Sequence, residues 1–129
     1  PLMDTTTFAF LFLTALFAVG FGQVPGGLTD VDVNDKGAKI ALSHAMDEYN
    51  RGSGDDYLYK VVEVIKVQGQ AVEGYEYIIT VRIARTLCRK DSVIGLCSIT
   101  NPALIYRCKF VVWSRPWLND WQLLEAKCH

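Results

Sequence analysis

Val61-Val62-Glu63-Val64-Ile65-Lys66-Val67-Gln68-Gly69-Gln70-Ala71-Val72-Glu73-Gly74-Tyr75-Glu76-Tyr77-Ile78-Ile79-Thr80-Val81-Arg82-Ile83 is two β-rich runs joined by a short turn that ends in glycine. From Tyr57 to Val67 the β-branched and aromatic content rises, the composition of a strand covered on at least one face. In the second run Tyr75, Tyr77, Ile79, Val81 and Ile83 alternate with Glu76, Ile78, Thr80, Arg82 and Ala84, the period of a sheet with one covered face. Residues 68 to 74 are therefore expected to form a hairpin tip, with Gly74 taking backbone angles that side chains resist.

Upstream of this hairpin, after the break at Pro25-Gly26-Gly27, Asn34 is placed to cap a helix. Its apolar residues Ala38, Ala41, Leu42, Ala45, Met46 and Tyr49 recur at three and four positions, and Gly52, Ser53 and Gly54 stop it. Downstream lies an irregular loop from Arg89 to Pro102, then a strand in which Tyr106, Cys108, Phe110 and Val112 alternate with Arg107, Lys109, Val111 and Trp113. Ser114-Arg115-Pro116-Trp117 breaks that strand, since Pro116 has no N–H to give to a central ladder, and a last segment runs from Trp121 to Cys128. One helix followed by four strands implies an α+β layer, a helix packed across an antiparallel meander. In a meander alternate hairpins fall at the same edge, so the tip at 70 to 74 and the turn at 115 to 118 are expected to be neighbours. Trp113 and Trp121, inside strand-like runs, read as core residues. Trp117 reads either as a core residue reached from a loop or as a rigid exposed anchor.

With 129 residues, half of them apolar, the chain has room for one domain around one core. The apolar run from Phe8 to Val19, followed by small residues, reads as a cleaved signal peptide spanning residues 1–22. Met3 is then the initiator, and the mature domain, 23–129, starts near Phe21 or Gln23. A retained anchor is the alternative, because the leader carries Asp4 and no Lys or Arg. The chain holds 13 Lys and Arg against 14 Asp and Glu, and Asp4 belongs to the leader, so the mature portion is close to neutral. Such a balance lacks the basic face that phosphate neutralisation needs, which excludes nucleic acid as a partner; no membrane partner is expected either.

Cys88, Cys97, Cys108 and Cys128 make an even number in a chain bound for an extracellular, oxidising compartment, where disulfides are the default. Four cysteines allow three pairings, and spacing alone does not choose among them. Joining neighbours, Cys88 with Cys97 and Cys108 with Cys128, would close two local loops worth about 3 kcal/mol each and is the expected arrangement. No metal site is expected: there is no Cys-x-x-Cys pair, and His44 and His129 offer no ligand spacing. Catalysis is not expected, since Gln70, Val72 and Gly74 are not nucleophiles, acids or bases, His44 sits within the helix, and the carboxylates are scattered. Binding suits the turn better. A tight turn exposes backbone donors and acceptors, and Ala71 and Val72 add modest apolar area for docking into a narrow cleft. Gln23-Val24-Pro25-Gly26-Gly27 reads either as a frayed terminus or as an extended arm that pivots on its glycines.

Gly26 eight residues before Asn34, Tyr49-Asn50 ending the helix, Gln70-Ala71-Val72-Glu73-Gly74, Ser114-Arg115-Pro116-Trp117 and the Lys127-Cys128 ending together resemble a secreted type-2 cystatin across the mature chain. The resemblance implies a cystatin-like five-stranded antiparallel sheet wrapped around one long α-helix, with consecutive cysteines joined. It also implies reversible, tight inhibition of papain-like cysteine proteases of the cathepsin L, S, B and H class, with no cofactor. Carried over, Val24, Pro25 and Gly26 would be the N-terminal arm, Gln70, Ala71, Val72, Glu73 and Gly74 the first binding hairpin, and Pro116 and Trp117 the second. The inhibitor is expected to act as a monomer. Two departures stand out. Some relatives inhibit legumain through an Asn after the helix, where Gly54 stands here, so legumain is not an expected target. Glu73 occupies a place commonly held by a small or uncharged residue. The rival reading is a secreted module of the same fold with a non-inhibitory binding or antimicrobial role.

Overall fold

A computed structural model describes residues 27–129. The expected leader, its cleavage site and the arm residues Val24, Pro25 and Gly26 lie outside the described residues. In chain order the elements are β1 (Thr29–Asp30), α1 (Lys36–Gly52), β2 (Tyr57–Ala71), β3 (Tyr75–Arg89), β4 (Ile105–Arg115), a single 3-10 turn (Pro116–Leu118) and β5 (Asp120–Cys128). The strands form one antiparallel five-stranded sheet in sequential order, and the helix crosses one face of it. The sequence alone yields four strands. The fifth, β1, is two residues long, too short for any periodicity to reveal.

The helix is capped by Asp35 and not by Asn34: the Asp35 carboxylate accepts from the Ala38 N–H at 2.9 Å. Asn34 is instead held in the preceding turn, where its N–H donates to the Asp32 carboxylate at 2.7 Å. Both residue types suit a cap, and the one three positions before an unpartnered helical N–H takes the role. Ala38, Ala41, Ala45 and Met46 form the buried stripe of α1 and meet Ile79, Val81 and Ile83 of β3 and Cys108, Phe110 and Val112 of β4, the covered sets that the alternation marks out. At the end of α1 the Asn50 amide takes the Tyr59 N–H at 2.9 Å and donates to the Tyr59 carbonyl at 3.1 Å, satisfying backbone groups of β2 where no neighbouring strand does so.

β2 explains why its apolar residues do not alternate. Val61 pairs with Ile83 and Glu63 with Arg82, so Val62 is inserted; Val64 pairs with Val81 and Lys66 with Thr80, so Ile65 is inserted. Two bulges bend and twist the strand, wrapping it about the helix while Val61, Val64 and Val67 keep facing inward. The hairpin is correspondingly longer than the sequence suggests. Residues 68 to 71 continue the ladder, with Gln70 opposite Glu76 and Ala71 opposite Tyr75, and only Val72 to Gly74 remain as the tip. The segment after β3 lacks regular structure but lies along it: Leu87 N–H donates to the Ser98 carbonyl at 2.8 Å and Arg85 N–H to that of Leu104 at 3.0 Å.

Disulfides join Cys88 to Cys97 and Cys108 to Cys128, both toward the end of the sheet opposite the Val72–Gly74 tip. At that same end Asp55 receives the Arg85 guanidinium on both oxygens, at 3.0 and 3.1 Å, and the Tyr59 hydroxyl at 2.9 Å. The Arg85 hydrogen bonds, helped by the Tyr57 N–H, bring the Asp55 carboxyl down from 3.8 to about 2, while burial and this carboxylate push Tyr59 up to about 12. A carboxyl with a depressed folded-state pKa adds stability that is complete above its unfolded value and disappears as pH falls through the folded one. Wild type is therefore expected to lose stability relative to Asp55→Asn between pH 3.8 and about 2, measured as urea midpoints. A gap that stays constant across that window would contradict this assignment.

Candidate functional site

Two turns meet at one end of the sheet. Tyr75 at the start of β3 pairs with Ser114 near the end of β4, and Arg115 pairs with Asp120 of β5, so the β2–β3 tip stands beside the β4–β5 turn. β1 belongs to the same end. Thr29 pairs with Gly69 and Asp30 with Gln68, so the chain followed backwards from Thr29 heads toward Ala71 and the tip.

Within the first tip Gln70 is held by its amide, which donates to the Glu76 carboxylate across the hairpin at 2.8 Å. Ala71 is exposed at the strand end, and the Val72 N–H donates to the Gly74 carbonyl at 3.2 Å, closing a three-residue turn. That closure requires a left-handed backbone at two consecutive residues, Glu73 with φ 25° and Gly74 with φ 106°. Gly74 is doubly constrained, because a Cβ there would also collide with the Ser114 carbonyl oxygen. Glu73 is a charged residue in a conformation that side chains rarely adopt, and both its carbonyl and that of Val72 are tied down: the Trp113 indole N–H donates to them at 3.0 and 3.2 Å.

In the second turn Pro116 starts the 3-10 turn, and Asn119, at φ 51°, closes it with its N–H on the Pro116 carbonyl at 2.9 Å. Trp117 lies on the surface, 63% exposed, so it is not a core residue reached from a loop. Val72 and Leu118 are exposed beside it at this end of the molecule, so the two turns present an apolar crest on a polar-backed hairpin pair. The sequence reading omits Leu118, although a large apolar residue directly after Pro116-Trp117 in a turn carries the same signal as Trp117 itself.

Trp113 corrects the sequence reading more sharply. It is not a core residue. Cys108, Phe110 and Val112 face the helix, so the period of two already sends Trp113 to the opposite face, where Arg115 covers its ring at 4.3 Å from the centroid. Arg115 in turn is paired with Asp120 at 2.6 Å, and its hydrogen bonds, with one from Gln122, hold the Asp120 carboxyl below its ordinary range. Trp121 packs against the core as a partly buried residue. The arrangement offers exposed backbone and apolar side chains on fixed supports.

A family model described as "Cystatin domain" matches residues 26–117. Cystatin-C of Paralichthys olivaceus is 48% identical over 120 residues, covering 90% of this chain and 94% of the relative. Cystatin of Gallus gallus is 46% identical over 107 residues, covering 80% and 77%. Among solved structures, that of dimeric human cystatin F superposes with a TM-score of 0.73 at 26% identity, covering 90% of this chain and 94% of that one.

Gly74→Ala is expected to destabilise the protein by about 1–3 kcal/mol, because it combines a left-handed φ with a backbone collision. Urea denaturation checks this; a variant as stable as wild type would mean that the tip has another accessible conformation.

Proposed function

Because the chain belongs to the cystatin family, we propose that it is a secreted, reversible, tight-binding inhibitor of papain-like cysteine proteases, blocking their active-site cleft with a three-part wedge. Family and fold support the general role, inhibition of cysteine proteases and not catalysis. The observation that carries the wedge reading is the adjacency of the two turns, with β1 entering from the same end. In this reading Val24, Pro25 and Gly26 form the arm, Gln70, Ala71, Val72, Glu73 and Gly74 the central hairpin, and Pro116 and Trp117 the second hairpin.

The physical logic is steric. Val72 and Trp117 lose water on entering the cleft, while the backbone of the tip occupies its centre without offering a peptide bond in attack geometry. Nothing is cleaved. The turns are fixed by their own hydrogen bonds, so little conformational freedom is lost on binding, and a nearly neutral protein binds without charge steering. Cathepsins of the L, S, B and H class are the proposed targets. Legumain is not, since Gly54, at φ 77°, stands where its recognition needs Asn. All four cysteines are engaged in intrachain disulfides, which leaves no thiol for a disulfide-linked dimer; a monomer is the proposed acting form. The signal peptide over 1–22 and the mature domain from 23 to 129 belong to the same proposal.

Titration of papain with the oxidised mature chain is expected to give one-to-one inhibition, weakened both by Trp117→Ala, by roughly tenfold or more as for a central aromatic anchor, and by truncation through Gly26. Absence of inhibition by the wild-type chain would favour a non-inhibitory module of this fold. For Glu73→Ser, a change in cathepsin affinity that depends on salt is expected; identical inhibition at low and high salt would show that the carboxylate stays outside the contact.

A further inference from the structure

Trp113 stands on the face of the sheet away from the helix, is half-buried there, and joins the two turns through a continuous set of contacts. Its indole N–H reaches two carbonyls of the first tip, its ring lies under the Arg115 guanidinium, and that guanidinium holds Asp120 with two hydrogen bonds of 3.1 and 2.6 Å. Arg115 and Asp120 flank the second turn directly, pairing with each other across its base. One side of this chain is therefore attached to Val72 and Glu73 and the other to the residues that open and close Pro116–Asn119.

From this geometry we infer that Trp113 is a positioning residue, held by Arg115 and Asp120, that fixes the first tip in its binding shape and ties it mechanically to the second. The inference rests on the inhibitory reading for its functional consequence and on the free protein for its structural one. The tip needs such support. Two consecutive left-handed residues, one of them a glutamate, leave the carbonyls of Val72 and Glu73 pointing together, and a single donor between them relieves that arrangement. The indole supplies a donor that a Phe ring of similar shape lacks. The guanidinium over the ring face is a favourable cation–aromatic contact, and its fork is fixed in turn by Asp120. Loss of any member leaves the remaining ones able to rotate. A protease that needs the tip in one shape then meets a smaller competent population, and apparent affinity falls in proportion.

The test uses the intact oxidised protein and four chains: wild type, Trp113→Phe, Asp120→Asn and the double variant. Inhibition of papain is measured by progress curves, and the exchange of the Trp113 indole proton with solvent is followed by NMR in the free protein. Each single variant is expected to raise the inhibition constant by about three- to tenfold, the size of roughly one lost hydrogen bond. The double variant is expected to be no weaker than about the weaker single, because both break one chain of contacts. Asp120→Asn is expected to speed indole exchange although it does not touch the indole. Unchanged inhibition by Trp113→Phe, or multiplicative losses in the double variant, would overturn the coupling. If wild type fails to inhibit papain, the inhibitory reading falls by itself, and indole exchange alone decides the brace: faster in Asp120→Asn supports it, unchanged refutes it.

Discussion

Three alanines on successive turns of α1, Ala38, Ala41 and Ala45, let the helix sit close on the sheet, and every other feature is built on that contact. Larger side chains at those positions would lift the helix off Ile79, Val81 and Phe110, which are fully buried beneath it. A sheet that hugs a helix must curve, and β2 supplies curvature with the inserted residues Val62 and Ile65. Because β2 bends around the helix, its far end and β3 project beyond the core as a hairpin whose tip is free of it.

The molecule divides its work between the two ends of the sheet. At one, the Cys88–Cys97 and Cys108–Cys128 disulfides and the Asp55–Arg85–Tyr59 cluster tie strands, helix end and long loop together. At the other, the turns hold their shape through backbone hydrogen bonds, left-handed residues and the Trp113 contacts. On the proposed inhibitory reading, covalent ties at the turn end would crowd a surface that enters a cleft. Local backbone geometry gives stiffness there without bulk.

Sequence patterns were strongest where burial acts on a period. The inward faces of β3 and β4 and the stripe of α1 are readable residue by residue, because each element has one covered side. Patterns failed where pairing adds or removes a residue. Val62 and Ile65 blurred the alternation of β2, and β1 is too short to have one. The cap went to Asp35 in place of Asn34 because two adequate cap residues stood side by side, and only the three-residue offset to the Ala38 N–H separates them. In the candidate site Gln70 to Gly74 and Pro116-Trp117 were legible as turns. Trp113 lies within a strand-like run, but its parity there places it on the face away from the helix.

On the proposed reading, the two turns act together as the surface that enters a protease cleft. Hydrogen–deuterium exchange of the one-to-one complex with papain, compared with the free protein, tests it directly. Slowed exchange is expected at the amides of Ala71 to Gly74 and of Trp117 to Asn119, with the 90–104 loop unchanged. Protection confined to that loop, with both turns exchanging as in the free protein, would contradict it.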